Sequence, residues 1–133
     1  MNTTHSKVDL SPLLATWRAL VDADEHEAAI ALAEQCAGVS DESRWFVALG
    51  IACARRGLTA RAVLAFSEAC RRDGTAPAVH THLADAQIDA CDYEAAALSL
   101  QRACALDPEA EDPAGKRARL LIAKTRKQLA SVT

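Results

Sequence analysis

Apolar residues recur along this chain three and four positions apart, the spacing of a helix face. Leu13, Leu14, Trp17, Leu20 and Val21 make one such stripe, and Ala118, Leu121, Ile122 and Leu129, with the polar Thr125 among them, make another. Between the stripes stand short breaks: Asp22-Ala23-Asp24, Gly57, Asp73-Gly74, Cys91-Asp92 and Asp107-Pro108. The pattern predicts seven helices, over Pro12–Val21, Glu25–Ala37, Ser43–Arg56, Thr59–Arg72, Pro77–Ala90, Tyr93–Leu106 and residues 112–130. Asp41 and Thr59 are placed to cap the helices they precede, and Pro77 suits a first turn. Gly57 supplies a left-handed turn conformation, and Pro108 ends a helix because the residue before proline avoids the helical region.

The helices come in pairs, and the pairs recur at one fixed offset that sets Ser43 on Pro77. Residues 43–76 laid on 77–110 match Leu49-Gly50 with Leu83-Ala84, Ala62 with Ala96, Phe66 with Leu100, and Ala69-Cys70 with Ala103-Cys104. A third, degraded copy covers about 9–42, where the same shift sets Ala28, Leu32 and Cys36 on Ala62, Phe66 and Cys70. A fixed period of this length marks a stack of like units, each burying its apolar face on its neighbour. The expected architecture is an all-α solenoid: a disordered tail over 1–10, then one domain over 11–133. That domain holds repeats at about 9–42, 43–76 and 77–110 and a capping helix at 112–130.

Half of the 133 residues are apolar, with Ala and Leu far outnumbering aromatic residues, a composition that favours helix. Residues 1–111 carry 9 basic and 17 acidic side chains, whereas 112–133 carry 6 basic and 1 acidic. The acidic body argues against a nucleic-acid groove, and the basic last helix lacks interleaved aromatics. Five cysteines in no CxxC pair and no zinc spacing argue for reduced thiols packed as small apolar groups. No apolar run is long enough for a bilayer, and the first residues lack the form of a signal peptide, so the expected location is cytoplasmic. His82, Asp85 and Asp89 are the one tempting ligand cluster, at i, i+3 and i+7, whereas His80 and His82 point about 200° apart on a helix. With no Gly-rich phosphate loop, GxSxG or HExxH motif, the chain is expected to be no enzyme and to need no cofactor or metal.

The units resemble the tetratricopeptide repeat (TPR), whose motif wants a large residue at position 4, Leu-Gly at 7–8, Gly at 15, Ala at 20, an aromatic at 24, Ala at 27 and Pro at 32. The second unit offers Phe46, Leu49, Gly50, Gly57, Ala62, Phe66 and Ala69, and the third offers His80, Leu83, Ala84, Ala96, Leu100, Ala103 and Pro108. The layout is also similar to that of class II type III secretion chaperones, in a divergent first repeat, two clearer ones and a C-terminal helix. The segment from Arg44 to Cys53 is similar to the opening of their second repeat. The chain departs from them in a shorter N-terminal extension and fewer aromatics.

The resemblance implies that the first helix of each unit lines a concave groove through positions 2, 5, 9, 12 and 13. The candidate peptide-binding residues are Leu13, Trp17, Leu20, Arg44, Val47, Ile51, Arg55, Thr81, His82, Asp85, Ile88 and Asp89. Inward positions lack the Lys and Asn that grip acidic chaperone tails, so the expected ligand is an extended apolar stretch of a client, and the expected client a secretion translocator. The competing reading is a TPR scaffold or adaptor whose groove meets a folded partner or a second copy of the chain. Trp17 and Trp45 have a plain core role as their alternative.

Overall fold

The computed structural model describes residues 9–132, and among them every regular element is a helix. The seven are α1 (Ser11–Asp22), α2 (His26–Val39), α3 (Ser43–Arg55), α4 (Thr59–Arg72), α5 (Pro77–Asp89), α6 (Tyr93–Leu106) and α7 (Pro113–Val132). Each helix packs on the next in sequence from α1 to α6, and α7 lies on both α5 and α6. The odd helices also touch along the stack, α3 with α5 and α5 with α7, while the even ones make no comparable contact. A stack whose odd helices approach more closely than its even ones bends toward the odd set. The inner wall is therefore built from α1, α3, α5 and α7, and the outer wall from α2, α4 and α6.

The turn inside each pair closes in one way. Leu58 N–H donates to Cys53 O (2.8 Å) and Gly57 N–H to Ala54 O (3.0 Å), with Gly57 at φ +85. This is the glycine-terminated helix end in which a left-handed residue returns two N–H groups to the last carbonyls. Cys91 (φ +62) repeats it with Cys91 N–H to Ile88 O and Asp92 N–H to Gln87 O. Asp24 (φ +58) repeats it again, with Asp24 N–H to Val21 O and Glu25 N–H to Leu20 O.

The first of these turns corrects the register of the first repeat. The offset that relates the second and third units would set Ala23 on Gly57, yet the left-handed residue is Asp24. The first repeat is therefore one position closer to the second than the second is to the third. In that register Ala29, Ala33 and Cys36, all buried, take the places of the buried Ala62, Phe66 and Ala69. Cys36 thus corresponds to Ala69, and only Cys70 and Cys104 share a repeat position. Asp41 caps nothing; it lies 3.5 Å from Arg72, and Glu42 and Leu58 precede α3 and α4 without side-chain caps. The tail expected over 1–10 lies outside the described residues except for Asp9 and Leu10, and Leu10 is buried in the main core.

Inside the pairs, one large residue meets one small residue. A Cβ at Gly50 would lie 2.5 Å from Phe66 Cε1, so the absence of a side chain on α3 lets the α4 ring fill the space. The third pair meets the same need with Ala84 and Leu100, both fully buried. In the corrected register the first pair reverses it: Trp17 stands where Gly50 does and Ala33 where Phe66 does, both buried.

The start of α7 is held by one carboxylate. Asp107, 9% exposed, accepts from Glu111 N–H and Asp112 N–H at 3.0 Å each, and Arg119 donates to the Asp107 and Pro108 carbonyls. Ala118 and Leu121 of α7 then close a second apolar cluster with Ala84, Leu100 and Ala103.

Candidate functional site

The corrected register changes which α1 residues face the inner wall. The partners of Val47 and Ile51 become Leu14 and Arg18. Trp17, by contrast, is 5% exposed and belongs to the core, as does the fully buried Trp45. Leu13 and Leu20 are half-buried against the same core. Ser11 supports the new register directly. It is the partner of Arg44, and Arg44 Nη2 donates to its Oγ at 2.9 Å, linking like positions of neighbouring inner helices. Arg44 is also held by Glu42 at 2.9 Å. Leu14 and Arg18 escaped the sequence reading because Ala28 and Ala29 fit the repeat equally well by residue type.

On α3, Val47 and Ile51 are half-buried at the edge of the main core, and Arg55 is exposed. Together with Leu14 they make a short apolar strip on the inner wall. The exposed Arg18 and Arg55 flank it, and neither is in an ion pair among the described residues.

The α5 candidates fare differently, because α7 lies over Thr81, Asp85 and Ile88. Thr81 is buried, its hydroxyl within 3.1 Å of Pro77 O and 3.2 Å of Ala114 O of α7, which corrects its assignment to an open groove wall. Arg117 donates to Asp85 from Nε and Nη2 as a bidentate pair, at 2.9 to 3.2 Å. Ile88 packs into the α5–α6–α7 cluster. His82 lies against α4, its ring stacked on Phe66 at 5.3 Å between centroids and 9° between planes. Only Asp89 of this set is exposed. The helix expected as an end cap thus also covers much of the third unit's share of the wall, with Arg117 of α7 paired to Asp85 of α5.

His82 and His80 do face different ways. His80 Nε2 donates to Gly74 O at 2.9 Å, which leaves Nδ1 toward Cys70 Sγ at 3.8 Å. Among the described residues no three His, Cys, Asp or Glu side chains gather as a metal site, and none of their helices is long and apolar enough to cross a membrane.

Burial holds the His82 imidazole below its ordinary pKa, with Asp85 opposing the shift and Arg117 adding to it. A histidine depressed in the folded state binds its proton first in the unfolded chain. Stability is therefore full above about pH 6.5 and falls as pH drops from there toward the folded-state value. His82→Phe, which keeps a ring on Phe66, is expected to flatten that slope in urea unfolding compared at about pH 7.5 and 5.5. An unchanged slope would assign it to other groups.

No protein-family model matches the chain, and no curated protein matches it. Solved structures do. PcrH, in complex with the chaperone binding region of PopD, superposes with a TM-score of 0.83 at 21% identity, covering 96% of this chain and 98% of that one. Yersinia enterocolitica SycD, a type III secretion chaperone in complex with a peptide of the translocator YopD, gives 0.79 at 19% identity, covering 99% and 100%. The Sgt2 TPR domain from Aspergillus fumigatus gives 0.84 at 17% identity, covering 99% and 87%. Secretion chaperones and an Aspergillus TPR domain thus match about equally well, and what they share with this chain is the architecture: it is a tetratricopeptide-repeat α-solenoid.

Proposed function

We propose that the inner wall of α1 and α3 holds an extended apolar segment of a client polypeptide, and that the protein is a chaperone of this client. The observation that carries the reading is the strip of Leu14, Val47 and Ile51, half-buried and uncovered by α7, on the inner side of the stack. Each client side chain seated there contributes about 1.5–3 kcal/mol before ordering costs, so two or three anchors suffice for useful affinity. Arg18 and Arg55 at the strip's edge fix the direction of the segment by meeting its carboxylates or carbonyls. The peptide complexes of PcrH and SycD support a secretion translocator as the client class.

The test is co-expression with translocators encoded beside the gene. A soluble complex is expected, and Ile51→Asp is expected to weaken it about 30-fold, as for a central anchor worth ~2 kcal/mol. A client equally soluble without the chaperone, or bound equally by Ile51→Asp, would sink the reading. A stable dimer that hides Val47 and Ile51 and refuses peptides would replace it with the scaffold reading.

A further inference from the structure

The outer wall offers a second surface, distinct from the inner strip. Two grooves of the same construction lie there one repeat apart. The first runs between α2 and α4 over α3 and measures ≈ 270 Å³; the second runs between α4 and α6 over α5 and measures ≈ 540 Å³. Corresponding residues explain the difference. Across the first, Arg61 of α4 bonds Glu34 of α2 at 3.0 Å and straps the two outer helices together. In the second, the same two places hold Ala95 and Ser67, which can form no strap.

Charge changes with the strap. The first groove is lined by Glu34, Glu68 and Arg61. The second has Arg102 where the first has Glu68. Its lining includes Arg102 and Arg71 but no carboxylate. Arg71 is engaged with Glu68 on its own helix, whereas no carboxylate among the described residues pairs with Arg102. Leu98 stands at the rim, 55% exposed, with Leu83 beneath.

From this geometry we infer that the groove between α4 and α6 docks a short acidic, leucine-bearing polypeptide segment. A carboxylate of the segment pairs with Arg102 while an apolar side chain covers Leu98 and enters the groove. An open channel between two helices fits the ridge of an amphipathic segment, and a lining with a free guanidinium and no carboxylate selects an acidic one. This site is independent of the inner strip, so the chain can hold two segments at once.

The test uses a short labelled peptide of Leu, Ala and Glu, and its counterpart with Lys for Glu, in fluorescence anisotropy titrations. The Glu peptide is expected to bind saturably to the wild type and about tenfold or more weakly to Arg102→Glu. The Lys peptide should show the opposite preference. Ile51→Asp should leave both titrations unchanged, which separates this proposal from the inner-wall reading. Arg102 is exposed, and circular dichroism would confirm that its variant folds. Backbone amide shifts on addition of the Glu peptide should cluster at Ser67, Gln87, Ser99 and Arg102. Equal binding by wild type and Arg102→Glu, shifts centred on Val47 and Ile51, or no saturable binding would each overturn the proposal.

Discussion

Phe66→Ala is expected to destabilise the protein by about 3–5 kcal/mol, the cost of emptying a buried aromatic site whose walls relax only in part. The ring sits against the bare face of Gly50 and stacks on His82, so its loss opens a void shared by α3, α4 and α5. Gly50→Ala attacks the contact from the other side, since the new Cβ would stand 2.5 Å from the ring. Overpacking of this kind costs about 1–3 kcal/mol, less what Ala gains in helix propensity. The informative variant is the double one. Gly50→Ala with Phe66→Leu rebuilds the Ala84 and Leu100 combination that the third repeat already uses. It should cost at least ~1 kcal/mol less than the two single changes summed. Urea unfolding of the four proteins gives the cycle. Additive costs would mean that the two positions do not share one packing site.

Asp107→Ala is expected to cost about 3 kcal/mol, because two backbone N–H groups at the start of α7 lose a charged acceptor in a half-dry setting. The effect should be local before it is global. Thr81 would lose its Ala114 contact, Asp85 would lose Arg117, and Ile88 would lose the cover of Ala118 and Leu121. Hydrogen exchange should then speed up across α7 and the inner face of α5 while α1 to α4 keep their protection. Gly115 gives an independent check. A Cβ there would fall 1.9 Å from Asp107 Oδ2, so Gly115→Val should evict the carboxylate and reproduce the pattern. Protection loss spread evenly over all seven helices would show that α7 is not a separable cover.

The third repeat illustrates how α7 covers an inner helix. Its inward positions are among the candidate peptide-binding residues, yet Thr81, Asp85 and Ile88 are all committed to α7. Under the proposed reading, a client on the inner wall would meet the first two repeats, where among the described residues α7 does not cover Leu14, Val47 and Ile51.

Much of this was legible in the chain itself. The match between the second and third units, the glycine at Gly57 and the paired Gly50 and Phe66 specify helix pairs and their packing, because each depends on residues close in sequence or on a repeated local volume. The register of the first repeat is ambiguous by one position in the sequence, for a physical reason. Ala28, Ala29, Ala31 and Ala33 satisfy small-residue positions in either register, and Asp24 takes a left-handed conformation without advertising it as a glycine would. Tertiary structure alone decided that Trp17 is core, that α7 seals α5, and that one outer groove is strapped while its neighbour is open. Those outcomes turn on side chains that meet from one repeat to the next, such as Arg61 with Glu34 and Arg117 with Asp85. Periodicity records which face of a helix is buried, but not which neighbour buries it.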